Sequence, residues 1–234
     1  MIDKAFIDSH IDKLTDCVNK ASKEIINVYE GDDFGHIEKS DGSPLTIADK
    51  NANQVILDEL KSISSDISII SEETFENNQL KNLDKTYWLV DPLDGTKEFI
   101  NKTDEFTVNI ALIDNKQAIF GIVAAPVTGK VWYGSVFDKN ITEEGPVDKI
   151  RIVMSKSHKS ENDKAFLEFI DSKNINYEII EKGSSLKLCS LADNEADIYP
   201  RFGPTSEWDI AAAHAVLSSF NGSVVKISDN EELD

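Results

Sequence analysis

The chain has little with which to build a cross-linked or membrane-spanning protein. Cys17 and Cys189 are its only cysteines in 234 residues, too few for a disulfide framework. No apolar run approaches the roughly 20 residues of a membrane span. The start, Met1-Ile2-Asp3-Lys4-Ala5-Phe6, lacks the basic segment and apolar stretch of a signal peptide. Positive charge is in short supply: 24 Lys and Arg stand against 43 Asp and Glu, a formal charge of −19. That balance argues against nucleic acid as a partner, which needs a basic footprint. An anionic substrate would need metal ions or a local basic pocket to overcome the protein's own field. What remains is an ordinary soluble composition, 40% hydrophobic and 29% charged, long enough for one large domain or two packed lobes. A cytoplasmic protein is expected, monomeric or weakly homodimeric, with peripheral attachment at the inner face of the cell membrane left open.

One hexapeptide stands out of the acidic background. Asp91-Pro92-Leu93-Asp94-Gly95-Thr96 closes the apolar run Tyr87-Trp88-Leu89-Val90. A strand that stops at Asp91 and Asp94, then turns through Gly95 into Thr96-Lys97-Glu98-Phe99, offers carboxylates to a hard cation and backbone N–H groups to an anion. Both needs meet in metal-assisted chemistry on a phosphate ester. Acidic pairs are common in this chain, but six fixed positions at about one in twenty each give roughly 10⁻⁸ per start.

Hydrophobic spacing predicts the elements around it. Ile7, Ile11, Leu14, Val18, Ala21 and Ile25 form a helical stripe, broken at Gly31-Asp32-Asp33. A turn at Ser40-Asp41-Gly42-Ser43-Pro44 precedes a second helix entered through Thr46 to Asp49 and carrying Ala52, Val55, Ile56, Leu60 and Ile63. Ser68 to Ser71 reads as a short strand ending at Glu72 and Glu73. Phe106, Val108, Ile110 and Leu112 alternate as a strand does, followed by strands at Ala118 to Ala125 and Lys130 to Val136. The polar segment from Asp138 to Asp148 is the expected boundary between lobes. Beyond it strands near 150–154, 177–180 and 197–199 alternate with helices near 161–171, 185–193 and 209–220. Asp49, Glu72, Asp91, Asp94 and Asp209 each fall at the end of an element, where an open α/β sheet tends to gather ligands. A pair of Mg²⁺ ions would need about this many oxygen donors, and no Cys/His spacing suggests zinc.

Several strings then carry a resemblance: T-I-A-D at Thr46 to Asp49, S-E-E at Ser71 to Glu73, W-L-V-D-P-L-D-G-T-K-E-F at Trp88 to Phe99, G-S-S-L-K at Gly183 to Lys187, Y-P-R-F-G-P-T at Tyr199 to Thr205 and W-D-I-A-A-A-H at Trp208 to His214. In this order they resemble the 3'(2'),5'-bisphosphate nucleotidases of the CysQ type, within the inositol monophosphatase superfamily of Mg²⁺-dependent, lithium-sensitive phosphatases. The resemblance runs from about Asn27 to the end, and Lys97-Glu98 after Thr96 favours the nucleotidase branch. It implies an α/β fold layered αβαβα, with an α+β metal-binding lobe over 1–138 and an α/β substrate-binding lobe over 139–234. Members usually continue past the position of Asp234 through another segment ending in a strand, so either the sequence is truncated or partly recorded here or the terminal strand is absent; none of the metal positions is affected.

The implied reaction releases the 3'-phosphate of adenosine 3',5'-bisphosphate as part of sulfur assimilation. An inositol monophosphatase or fructose-1,6-bisphosphatase-like sugar phosphatase is the runner-up, and a catalytically dead binding module the non-enzymatic reading. The resemblance implies two or three Mg²⁺ ions. Glu72, Asp91 and the Leu93 carbonyl would hold one; Asp91, Asp94 and Asp209 a second; a third would sit near Glu72. Thr96, paired with Asp49, would orient and deprotonate the attacking water, while the N–H groups of Gly95 and Thr96 hold the reacting phosphate beside Glu72, Leu93, Asp94 and Asp209. Ser184, Lys187 and Arg201, with His158 as a weaker match, would grip the second phosphate. Glu73 is expected to be an exposed carboxylate, His214 and Cys189 packing residues, and Trp208 an anchor for its helix.

Overall fold

Ile7, Leu14, Cys17, Val18, Ala21, Ile25 and Tyr29 line the buried face of helix α1 (Lys4–Tyr29) in the computed structural model, which describes residues 2–31, 33–39, 42–76, 83–140, 148–156 and 160–233. Asp3 caps α1 by accepting from the Phe6 N–H at 3.0 Å, which satisfies one of the orphaned first-turn donors. A short hairpin of β1 (Ile37–Glu38) and β2 (Pro44–Leu45) delivers the chain to α2 (Ile47–Ile63), which lies along α1. Of the turn expected between them, Ser40 and Asp41 lie outside the described residues, as does Asp32 after α1.

The two helices cover one face of a five-stranded sheet whose spatial order follows the sequence: β3 (Ser68–Ser71), β4 (Thr86–Asp94), β5 (Thr107–Asp114), β6 (Gln117–Ala125) and β7 (Lys130–Ser135). β3 runs parallel to β4, and the remaining pairs are antiparallel. The alternation along β5 does not separate core from solvent, because both of its faces are buried. Val108, Ile110 and Leu112 join the core under α1 and α2, while Ala111 and Ile113 join a second core on the other face. A strand covered by helices on both sides reads this way.

That second core is closed by α5 (Leu186–Ala192) and α6 (Glu207–Ser219). The alanine-rich face of α6 lies directly on the sheet at Gly121. A Cβ there would stand 2.0 Å from the Ala212 carbonyl oxygen and 2.8 Å from its Cα, and both are backbone. Gly121→Ala should therefore force α6 outward and destabilise the fold by about 1–3 kcal/mol or more. A lowered urea midpoint at unchanged slope would show it; an unchanged midpoint would mean α6 slides freely on β6.

Beyond α5 lies a parallel pair, β8 (Ile150–Ser155) and β9 (Tyr177–Lys182), joined through α4 (Glu161–Ser172). The layers are thus α1/α2, sheet, α5/α6, β8/β9 and α4, the αβαβα order expected. The strand expected at 197–199 is reduced to a single bridge, Ile152 to Ile198. The Asp197 carboxylate is turned onto Arg151, accepting from its backbone N–H at 2.7 Å and its guanidinium at 2.6 Å. Pro200 then has no N–H with which to extend the ladder. The expected lobe boundary falls largely on residues 141–147, outside the described residues. No helix among the described residues is long and apolar enough to cross a membrane.

Candidate active site

The apolar run of β4 does not end at Asp91. The strand continues to Asp94, with a register break against β5 between Asp91, opposite Asn109, and Asp94, opposite Thr107. Pro92 sits in the break, where its missing N–H costs no ladder bond. The Asp91 carboxylate is 1% exposed and accepts from the Leu93 N–H at 3.0 Å. Gly95 then takes φ +89° and reverses the chain into a short helix, α3 (Thr96–Ile100). A Cβ at Gly95 would lie 3.1 Å from the Glu105 carbonyl, so both conformation and space favour glycine.

Strand register brings the first two carboxylates together. Ser71 pairs with Val90, so the next residues along these parallel strands, Glu72 and Asp91, meet at the sheet's end. Two carboxylates side by side repel, and the charge on one raises the other's affinity for a proton. Burial, and then the charges of Glu72, Asp94 and Asp209, push the Asp91 carboxyl well above its usual range. Burial and then Asp94 push Asp209 up to about 6, and burial also raises Glu72 against the opposing pull of Lys39.

Two helix starts supply further groups. Asp49 is the third residue of α2 and completes a capping box, its Oδ2 accepting from the Thr46 N–H at 2.6 Å and the Thr46 hydroxyl at 2.5 Å. Its other oxygen accepts from the Thr96 hydroxyl at 3.2 Å, and that hydroxyl lies equally far from the Leu93 carbonyl. Burial raises the Asp49 carboxyl. Asp209 occupies the same position in α6, which begins at Glu207 rather than at Asp209 itself. Its Oδ2 accepts from the Ser206 N–H at 3.0 Å and the Thr205 hydroxyl at 2.9 Å. Asp94 accepts from the Ser184 hydroxyl and the Ser185 N–H, each at 2.6 Å.

Buried carboxylates that repel one another suit a hard divalent cation, which wants oxygen donors and supplies the missing charge. Glu72, Asp91, Asp94, Asp209 and the Leu93 carbonyl are the donors that fit Mg²⁺. Among the described residues no three acidic, His or Cys side chains surround one point closely enough to cage an ion as they stand. Asp94 and Asp209 are turned to the donors above, and Glu72 is engaged by Lys39. The Lys39 ammonium bonds Glu72 and Glu73 at 2.8 Å each. Glu73 is therefore not an exposed carboxylate: 6% of its side chain is exposed, and it helps hold Lys39 over the site.

Two of these carboxylates, Asp94 and Asp209, line one polar cleft with Gly95, Ser184, Lys187 and Arg201. Lys187 is 5% exposed; it donates to the Ser184 carbonyl at 2.6 Å and lies over the Tyr199 ring at 5.6 Å. Burial, with Arg201 nearby, lowers its pKa despite the charge of Asp94. Arg201 is braced by the Pro204 carbonyl at 2.6 Å. His158 lies outside the described residues, while Ser155 at the end of β8 lines the cleft. His214 is half-buried in a separate hollow with Leu89 and Ile113, and Trp208 packs on Phe75 at 5.5 Å. Both are packing residues, as is Cys189.

Residues 9–234 match the model of the inositol monophosphatase family. The chain is 40% identical over 219 residues to the 3'(2'),5'-bisphosphate nucleotidase CysQ of Escherichia coli, covering 89% of this chain and 87% of that protein. It is 40% identical over 225 residues to the protein of the same name from Buchnera aphidicola, covering 92% and 83%. The crystal structure of CysQ from Bacteroides thetaiotaomicron superposes with a TM-score of 0.75 at 33% identity, over 88% of this chain and 85% of that one. An inositol monophosphatase from Anabaena has a TM-score of 0.75 at 20% identity, over 97% and 87%, and at that distance shows the fold alone.

Proposed function

The chain belongs to the inositol monophosphatase family, and on that premise we propose that its cleft hydrolyses the 3'-phosphate of adenosine 3',5'-bisphosphate, giving AMP and phosphate. It is a phosphoric monoester hydrolase of the 3'(2'),5'-bisphosphate nucleotidase type, the activity named for relatives at 40% identity, and such a reaction would serve sulfur assimilation. One observation carries the substrate assignment beyond likeness. In a chain of charge −19, Lys187 and Arg201 line the same cleft as Asp94 and Asp209 and lie close enough for their charges to act on one another. Like charges set side by side are costly unless an anion joins them. A substrate with one phosphate at the carboxylates and another at the cations satisfies both sets.

Glu72, Asp91, the Leu93 carbonyl, Asp94 and Asp209 would hold Mg²⁺, which when bound would supply polarisation of the phosphate and acidification of water. The protein's own groups do the rest. Thr96 points its hydroxyl at Asp49, so a water hydrogen-bonded to Thr96 can pass a proton through it to the carboxylate. The raised affinity of buried Asp49 for protons makes it a stronger base than an exposed aspartate. The N–H groups of Gly95 and Thr96, at the start of α3, hold the oxygens of the reacting phosphate. Lys187 and Arg201 hold the 5'-phosphate, the arginine in two-point fashion where lysine offers a point charge. An inositol monophosphatase shares the carboxylates but, with one phosphate on its substrate, has no use for the cationic wall; fructose 1,6-bisphosphate carries two phosphates, so rates on the two bisphosphates must separate that reading.

Phosphate release from adenosine 3',5'-bisphosphate, inositol 1-phosphate and fructose 1,6-bisphosphate, measured side by side with Mg²⁺, tests the assignment. Preference for either sugar phosphate would overturn it. Lys187→Ala or Arg201→Ala should lower kcat/KM on the bisphosphate by about 10- to 100-fold, the worth of one charge-assisted contact. Adenosine 2'-monophosphate, which has no 5'-phosphate, should be barely affected. Equal losses on both substrates would assign these residues to the fold or the metals instead.

A further inference from the structure

We propose that Glu105, which no sequence motif marks out, is a positioning residue for the second phosphate. It clamps the arm carrying Ser184 and Lys187 against the loop of Asp94 and Gly95. This rests on the nucleotidase reading above. The Glu105 side chain is 20% exposed and reaches two separate segments of the far layers. One oxygen accepts from the buried Gly183 N–H at 2.9 Å; the other accepts from the Lys156 ammonium at 3.0 Å. Its own carbonyl is wedged between two glycines. A Cβ on Gly183 would stand 2.9 Å from it and a Cβ on Gly95 3.1 Å, so neither neighbour can carry a side chain without moving Glu105.

The arm needs such a clamp because its next residue is held in an unfavourable backbone state. Ser184 takes φ +51°, a region that costs a non-glycine residue energy and persists only where its surroundings enforce it. Its hydroxyl is pinned to Thr107 and to Asp94, each at 2.6 Å. The bond from Glu105 to the Gly183 N–H fixes the residue just before it. Since the Lys187 ammonium rests on the Ser184 carbonyl at 2.6 Å, the placement of this turn decides where that charge sits. Glu105 is absent from the cleft's lining, so it acts through the arm and not on substrate. A carboxylate so near an anion site works against binding. Pairing with Lys156 offsets that field, and the mechanical role accounts for the acid being there.

Steady-state kinetics on adenosine 3',5'-bisphosphate and adenosine 2'-monophosphate test the proposal. Glu105→Ala should raise KM for the bisphosphate about tenfold while kcat, and KM for the monophosphate, change less than about threefold. Glu105→Gln keeps an acceptor for the Gly183 N–H and should return KM to within about threefold of the parent. In a Lys187→Ala background the Glu105→Ala effect should shrink below about twofold, because residues acting as a unit are not additive. Equal losses on both substrates, no rescue by glutamine, or full additivity with Lys187→Ala would each overturn it. If the alanine variant does not fold, Glu105→Asp takes its place, since it keeps the charge but is one methylene short of Gly183: a raised KM for the bisphosphate supports the proposal and an unchanged KM sinks it. A parent protein that releases no phosphate from the bisphosphate overturns the nucleotidase reading and this proposal with it. A competent parent with an indifferent Glu105→Asp overturns the proposal alone.

Discussion

Asp91→Asn is expected to abolish turnover while leaving the fold in place. Asp91 sits beside Glu72 at the sheet's end and within the field of Glu72, Asp94 and Asp209. At 1% exposure it has no water shell to exchange for a metal, so its charge is available only to what the site binds. The amide keeps the side chain's shape and can still accept from the Leu93 N–H, the 3.0 Å contact that shapes the turn. What it loses is the negative charge that, on the proposed assignment, would hold Mg²⁺. A metal supplies several kcal/mol of charge stabilisation to a phosphoryl transition state, so about 10³-fold or more should vanish from kcat. Stability should move the other way. The carboxylates of the metal-free protein repel one another, and removing the central charge relieves that repulsion. In the presence of chelator, Asp91→Asn should melt above the parent; with Mg²⁺ the order should reverse, since ligand binding stabilises only the protein that binds it. Substantial activity in this variant at saturating Mg²⁺ would refute the assignment of Asp91 as the shared metal ligand.

Much of this site is legible because its residues also have local structural jobs. Asp49 and Asp209 each stand three positions after a Thr or Ser at a helix start, a spacing that signals a capping box before any fold is known. The caps fix the two carboxylates at helix ends, and the helices carry them to one end of the sheet. The Glu72 and Asp91 pairing follows from parallel strands of matched register; apolar runs ending in acids make convergence plausible but do not fix that register. Contacts between residues far apart in sequence are a different matter. Lys39 reaches Glu72 and Glu73 from 33 and 34 positions away, and Glu105 reaches Gly183 from 78. Nothing in a lone Lys or Glu distinguishes such a group from a solvated one. Burial alternation in β5 is ambiguous for a related reason: period two tells which face a residue takes, not whether that face meets water or a second layer of helices. The strand expected near Ile198 stays a single bridge where the Asp197 carboxylate takes the Arg151 backbone N–H and Pro200 has none to offer, the first a tertiary event with no local signature.

Thr96→Ala separates the chemistry from the binding. The Thr96 hydroxyl lies 3.2 Å from both the Asp49 carboxylate and the Leu93 carbonyl, and it has one proton to give. Whichever acceptor takes it, an oxygen lone pair is left to receive a hydrogen bond from the attacking water. Asp49 cannot do this alone, since its other oxygen is already filled by the two bonds from Thr46. Removing the hydroxyl should leave substrate and metals in place, because neither the Lys187 and Arg201 wall nor the carboxylate cluster depends on it. The loss should therefore fall on kcat, by about 10²- to 10⁴-fold, the usual worth of a proton relay, with KM nearly unchanged. Thr96→Ser keeps the hydroxyl and should retain most of kcat, which a purely steric role for the methyl group would not allow. Stability is a poor guide to the outcome: Thr96 is half-buried at the first position of a short helix, and alanine there should change the melting point little. Asp49→Asn is a less clean probe, since the same side chain caps α2 and its loss would disturb the helix as well as the relay. If KM rose in Thr96→Ala while kcat held, Thr96 would be a substrate-positioning group and the base would have to be sought elsewhere. A fall in kcat that Thr96→Ser repairs would instead leave Asp49 as the one buried carboxylate the hydroxyl touches, and so the proton's destination.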